Sequence, residues 1–236
     1  MMRLRSILFN LGMWIMIIPF ALLTLLLIPM KAPRRSRIIA GWARLICRWL
    51  ALTCKLRYRV IGQENIPSQP CVILAKHQSA WETIAFQEIF PPQIWVMKRS
   101  LLLIPFFGWA LWALKSIAID RGAGREALKQ LVAQGHDRLQ LGLSVVVFPE
   151  GTRVQPGQTG KYHIGGAWLA THTGATVVPV AHNAGEYWRR NSLLKRPGVI
   201  TVSIGTPIDA SGMKADALNK MVETWIETEM PRLNSL

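Results

Sequence analysis

The feature that most constrains this chain is a single apolar run, Ile7 to Met30, in which only Asn10 and Thr24 are polar. Arg3 and Arg5 stand before it; Lys31, Arg34, Arg35 and Arg37 follow. Its length reaches the roughly 20 residues that a membrane-spanning helix needs. It exceeds the about 7 to 15 apolar residues of a cleaved signal peptide, and no small-residue cleavage site follows it. If the run crosses a bilayer, the heavier basic flank places the rest of the chain in the cytoplasm. Pro19, near its middle, equally permits a kinked helix that enters one leaflet without crossing.

Charge points the same way. Residues 1 to 60 hold eleven Lys/Arg and no acid, so of the net +15 only +4 is left for the remainder, where seventeen bases face thirteen acids. These bases are interleaved with Leu, Ile, Met and Trp, a combination that favours an anionic membrane surface over nucleic acid, with about 1 kcal/mol gained per Lys or Arg at the headgroups. From Ser36 to about Tyr58 the residues Arg37, Arg44, Arg48 and Lys55 fall within about 40° of one another on a helix, and Ile38, Trp42, Leu45, Trp49, Leu52 and Leu56 cluster on the far flank. That pattern suits an interfacial amphipathic helix; the alternative is a surface helix of the domain whose basic stripe is merely solvated. Residues 1–58 are therefore expected to form a membrane-anchoring helical unit ahead of one domain over 59–236, since 236 residues do not comfortably hold two full domains. Cys47, Cys54 and Cys71 have no metal-ligand spacing, and the first two lie about 10 Å apart along a helix, too far for a disulfide.

Beyond Lys55 strands alternate with helices. Strands are expected at Leu56 to Ile61, Cys71 to Ala75, Ile94 to Met97, Ser116 to Ile119, Ser144 to Phe148, Val177 to Ala181 and Val199 to Ile204. Helices are expected at Trp81 to Ile89, ended by Pro91-Pro92, at Arg125 to Leu141 with Gly142 as its stop, at Gly165 to Thr173 and at Met213 to about Glu229. The order argues for an α/β fold, a mixed and largely parallel sheet flanked by helices, with an N-terminal membrane-associated helical segment and with ligands at the strand ends.

The chemistry concentrates just past one of those ends. His77 follows the apolar run Val72 to Ala75, and Glu82 comes five residues later. A neutral imidazole is suited to lifting a proton from a hydroxyl, and a carboxylate on its other nitrogen fixes the tautomer and steadies the imidazolium. On one straight helix, residues five apart diverge by about 140°, so the pair needs a turn between them, which Gln78-Ser79 can supply. Ser79-Ala80-Trp81-Glu82 also fits a capping box, which would give Glu82 a purely structural task.

A second stretch, Val145 to Arg153, reads Val-Val-Val-Phe-Pro-Glu-Gly-Thr-Arg. Together with His77 to Glu82, with Lys98, Leu101, Pro105 and Gly108, and with Val178-Pro179-Val180, it resembles the glycerolipid acyltransferase family and, within it, the 1-acylglycerol-3-phosphate acyltransferases. The family carries His-x4-Asp, Lys-x2-Leu-x3-Pro-x2-Gly, Phe-Pro-Glu-Gly-Thr-Arg and Val-Pro-Val in this order. Glu82 replaces the usual Asp, and His163 stands where a lysine often follows the third motif. The resemblance implies His77 as general base with Glu82 orienting it, and Lys98 and Arg153 as cations for a phosphate on the acceptor. It makes Glu150, Gly151 and Thr152 residues of the acceptor loop. It implies no cofactor: the co-substrate is an acyl thioester of coenzyme A or acyl carrier protein, and the acceptor is lysophosphatidic acid. No Gly-x-Ser-x-Gly elbow is present, so direct attack by the acceptor hydroxyl is expected without a covalent intermediate. A non-catalytic membrane lipid-binding protein, or an acyltransferase for another lysolipid, is the rival expectation.

Overall fold

The computed structural model describes residues 1–90 and 92–235. Pro91, half of the expected helix stop, lies outside them. Two long helices open the chain, α1 (Met2–Leu26) and α2 (Ala32–Cys54). The seven strands are β1 (Leu56–Ile61), β2 (Val72–Ala75), β3 (Gln93–Lys98), β4 (Ile117–Ile119), β5 (Ser144–Val147), β6 (Val177–His182) and β7 (Gly198–Ile204). Between and after them come α3 (Glu82–Ile89), α4 (Phe107–Ala113), α5 (Arg125–Gln140), α6 (Gly165–Thr173), α7 (Ala184–Tyr187) and α8 (Ala215–Asn234).

The strands form one sheet in the order β1-β7-β6-β2-β5-β3-β4, parallel at every junction except β6 with β7. Strands β2, β5 and β6 are almost wholly buried, as expected of short Val- and Ile-rich runs covered on both faces. One face carries α1 to α3 in a core that includes Phe9, Ile39, Ala43, Ile46, Leu50, Ile73 and Phe86. The other carries α5, α6 and α8 over Leu74, Val145, Leu131, Leu169, Leu218 and Val222. The N-terminal helices thus share a core with the sheet, and residue 58 marks a change of role more than a break in packing.

Two expectations shift. The buried side of α2 is Ile39, Ala43, Ile46, Cys47, Leu50 and Cys54, whereas Ile38, Leu45 and Leu52 of the expected apolar flank are exposed alongside Arg37, Arg44 and Arg48. Helix α2 therefore packs on the domain with one face and keeps an apolar and basic surface on the other. Arg35, counted in the basic flank of the apolar run, is buried; its guanidinium donates to the carbonyls of Leu27, Ile28 and Met30 at 3.4, 2.9 and 3.0 Å. Those oxygens lie just past the end of α1, so Arg35 satisfies acceptors the helix leaves unpaired and closes the α1–α2 hairpin. The Trp- and Phe-rich stretch after β3 holds α4, whose short mixed run gives no clean period. Helix α8 continues past Glu229 through Pro231, which removes one backbone donor within the last turn.

Candidate active site

Four neighbouring parallel strands, β6, β2, β5 and β3, present their C-terminal ends side by side. His182 ends β6, His77 lies just beyond β2, Phe148 to Arg153 follow β5, and Lys98 ends β3. Residues as much as about a hundred positions apart therefore meet along one edge, the place where open α/β sheets bind ligands.

The chain turns sharply after β2, and Glu82 holds the turn. Its Oε1 accepts from the backbone N–H of Gln78 at 2.9 Å and of Ser79 at 2.7 Å, and from His77 Nδ1 at 2.8 Å. One oxygen thus binds both the imidazole and the Ser79 amide of the expected capping box, although α3 begins at Glu82 itself with Trp81, not Ser79, as its N-cap. Since Glu82 is the acceptor, the network assigns the proton to Nδ1 and leaves Nε2 facing the cavity that His77 lines. The ring is also stacked on Phe148, with centroids 4.1 Å apart and planes at 13°.

Glu82 is wholly buried. Burial opposes its charge, but the imidazoles of His182 and His77 and the Ser79 N–H outweigh it and hold the carboxyl below its ordinary range. His182, at the end of β6, places its Nε2 4.0 Å from Glu82 Oε2. Its Nε2–H donates to Lys76 O at 2.8 Å and its Nδ1 accepts from Ala184 N at 3.3 Å, the pattern of a neutral ring. Burial likewise pushes its pKa down, against the pull of Glu82.

Glu150 corrects an expectation. Its carboxylate is turned away from the cavity: Oε1 accepts from Lys76 Nζ at 2.8 Å and Gly160 N at 3.3 Å, and Oε2 from His77 N at 2.8 Å. It ties the exit of β2 to the loop after β5. Lys76, 1% exposed, spends all three donors on Glu150, Glu227 of α8 and the Gln158 carbonyl. Tyr162 and Thr159 complete the set by donating to Glu227. Nothing in the sequence around Lys76 announces this network, because its carboxylates lie 74 and 151 residues away.

Gly151, with φ of +68°, ends a turn in which its N–H donates to Phe148 O at 3.0 Å. Val154 N donates to His77 O at 2.7 Å, fixing the loop against the imidazole residue. Gly151, Thr152, Arg153 and Lys98 all line the cavity with His77. His163 is exposed and does not line it. Gly108 is needed for backbone approach: a Cβ there would stand 2.3 Å from Leu102 O.

The cavity has a volume of about 610 Å³. Away from His77 its wall is apolar, drawn from α1 (Ile17, Phe20, Ala21), α3 (Ile84), β3 (Trp95, Met97) and α4 (Ala110, Leu111). One compartment thus joins a proton acceptor, two cations and a lipophilic pocket.

An acyltransferase family model matches residues 57–183. The chain is 45% identical to a 1-acyl-sn-glycerol-3-phosphate acyltransferase of Pseudomonas aeruginosa over 213 residues, 89% of this chain and 82% of that protein. It is 28% identical to a protein of the same name from Saccharomyces cerevisiae, covering 78% of this chain and 63% of the yeast protein. The crystal structure of the 1-acyl-sn-glycerophosphate acyltransferase PlsC from Thermotoga maritima superposes with a TM-score of 0.83 over 99% of this chain and 96% of that one, at 23% identity, which shows a common fold. The chain belongs to the acyltransferase family, alongside the 1-acyl-sn-glycerol-3-phosphate acyltransferases.

Proposed function

We propose that the protein transfers an acyl chain from a thioester to the free hydroxyl of 1-acylglycerol-3-phosphate, lysophosphatidic acid, to give phosphatidic acid, with His77 as general base. The observation that carries this is the His77–Glu82 pair at the polar end of an apolar cavity whose same end bears Lys98 and Arg153. The acceptor phosphate sits between these two cations, Arg153 offering a planar fork and Lys98 a point charge. That placement holds the hydroxyl against His77 Nε2. The imidazole takes the hydroxyl proton as the oxygen attacks the thioester carbonyl, and Glu82 steadies the imidazolium. Collapse of the tetrahedral intermediate forms the ester and breaks the carbon–sulfur bond, and the departing thiolate recovers the proton. The acyl chain lies along the apolar wall. The donor is an acyl thioester, of coenzyme A or of acyl carrier protein. A purely lipid-binding role leaves the buried Glu82 carboxylate, held against the His77 imidazole at 2.8 Å, without a purpose.

The work takes place on a membrane. Helix α1 has a domain-facing stripe of Ser6, Phe9, Ala21 and Thr24 and an exposed one of Leu4, Leu8, Leu11, Ile15, Ile18 and Leu22. A helix that gives one flank to a water-facing domain for most of its length suits burial in one leaflet, with the domain on the cytoplasmic face of the cell membrane. Purified protein given lysophosphatidic acid and a labelled acyl thioester should form phosphatidic acid, and His77→Ala should abolish it with little change in thermal unfolding. Substantial turnover by that variant would falsify the general-base assignment.

A further inference from the structure

Asn10 is one of only two polar residues in the apolar run, and nothing in the reaction uses it. Its partner is Lys195, in the loop between α7 and β7, which is 1% exposed. Lys195 Nζ donates to Asn10 Oδ1 and, at 2.9 Å, to Leu193 O. The ammonium lies 4.4 Å from the ring centroid of Trp188 and 5.0 Å from that of Phe9, two rings that themselves meet edge to face. Ser6 Oγ accepts from Lys195 N at 3.0 Å, and Asn10 Nδ2 donates to Leu193 O at 3.3 Å. Three residues of α1, Ser6, Phe9 and Asn10, thus close on one buried cation. Farther along the same helix Ile17, Phe20 and Ala21 line the cavity.

We propose that Lys195 is a positioning residue that sets the rotation and depth of α1 and thereby the acyl-chain selectivity of the cavity. Apolar packing alone defines that rotation weakly, because both flanks of α1 are apolar and, in a lipid environment, exposed leucines carry no penalty. Turning the helix by one residue would bring Ala21 to where Phe20 stands and Leu22 and Leu25 to where Ala21 and Thr24 stand, reshaping the wall. A buried polar contact that fits in only one register removes the ambiguity, as single polar residues do in coiled coils. Burial also lowers the pKa of Lys195 to about 8.

This rests on taking the apolar cavity as the acyl compartment, and the test separates the two. Full-length protein in phospholipid micelles is assayed with lysophosphatidic acid and a ladder of saturated acyl thioesters from short to long. Lys195→Met and Asn10→Leu should each flatten the ratio of kcat/KM between preferred and disfavoured chains by about tenfold, whereas Asn10→Asp, which keeps an acceptor for the ammonium, should retain the native profile. Should Lys195→Met fail to accumulate, the Lys195→Met/Asn10→Leu double variant, which leaves neither side chain unpaired, is read in its place. Ala21→Leu serves as the control on the cavity wall. A native profile in the Lys195 and Asn10 variants beside a shifted one in Ala21→Leu overturns the role of Lys195. So does an equal loss for every chain length, which marks a structural lysine only. If Ala21→Leu also leaves the profile unmoved, the acyl compartment is elsewhere and the role of Lys195 falls with it.

Discussion

At the scale of single residues the proposed chemistry depends on one carboxylate oxygen with three donors. Glu82→Gln retains an acceptor for the Gln78 and Ser79 amides but loses the charge that steadies the imidazolium. We expect kcat to fall about a hundredfold or more while the unfolding midpoint moves little; near-native turnover would leave Glu82 a cap alone. Arg153→Ala and Lys98→Ala should each lower kcat/KM for lysophosphatidic acid by roughly ten- to a hundredfold, and much less for an acceptor lacking the phosphate. His182 has a different signature. Its pKa is depressed from the ordinary 6.5, so below that value the unfolded chain takes up a proton that the folded chain refuses, and stability falls with falling pH. His182→Phe forfeits hydrogen bonds to Lys76 and Ala184 and should be less stable at pH 8, with the gap narrowing below about pH 6.5. Denaturant unfolding across that window checks it, and a pH-independent gap would mean the ring does not stay neutral. The pairing of His77 with Glu82 was legible because the two stand five apart beyond a strand in the first of four motifs that together resemble one family; the spacing alone left a capping box as an alternative. His182 and Lys76 were not, since what makes them matter is burial against residues distant in sequence.

Among the elements, α8 reaches into the site from the far face of the sheet through Glu227, which accepts from Lys76 at 2.7 Å. Burial opposes the charge of Glu227, yet Lys76, Tyr162 and Thr159 hold its pKa below the usual range. Glu227→Ala leaves a buried ammonium with one carboxylate; because Glu227 is 22% exposed, we expect a loss of about 2 kcal/mol, below the range for a fully buried pair, together with a reduced kcat. Unfolding and activity measured on one preparation test it: unchanged kcat would show that α8 braces the fold without bracing His77. Strands β1, β2, β5 and β6 were readable within a residue or so, because short β-branched runs between turn residues have few alternatives. Helix α4 was not, since Phe106 enters it with φ of +60° and its seven residues show no full period. Nor was the buried face of α2: a helix that packs on a domain with one side and exposes Ile38, Leu45 and Leu52 on the other is apolar on both, and periodicity cannot say which side is which.

The whole molecule is an α/β body with a lipophilic ridge. Exposed Trp14, Ile15, Ile18 and Leu22 of α1, Leu45 and Leu52 of α2, and Trp109 and Trp112 of α4 accompany the cations of α2. Arg44 is engaged with Glu88 at 3.3 Å, so among the stripe residues Arg37 and Arg48 are the better targets for charge reversal. Reversing both should weaken binding to anionic vesicles by about 1 kcal/mol for each residue, leave neutral vesicles nearly unaffected, and be mimicked by salt. Equal effects on both vesicle types would make the stripe a solvated face. The link from Glu227 through Lys76 and Glu150 to the His77 amide has a further outcome when the order of synthesis is considered. Helix α1 leaves the ribosome long before α8, so under the membrane-bound reading proposed above a nascent chain can reach the bilayer while the lysine beneath the His77 turn still lacks one of its two carboxylates. On that reading, birth at the membrane and competence for catalysis are separated in time, and a chain interrupted before α8 would be left moored and idle.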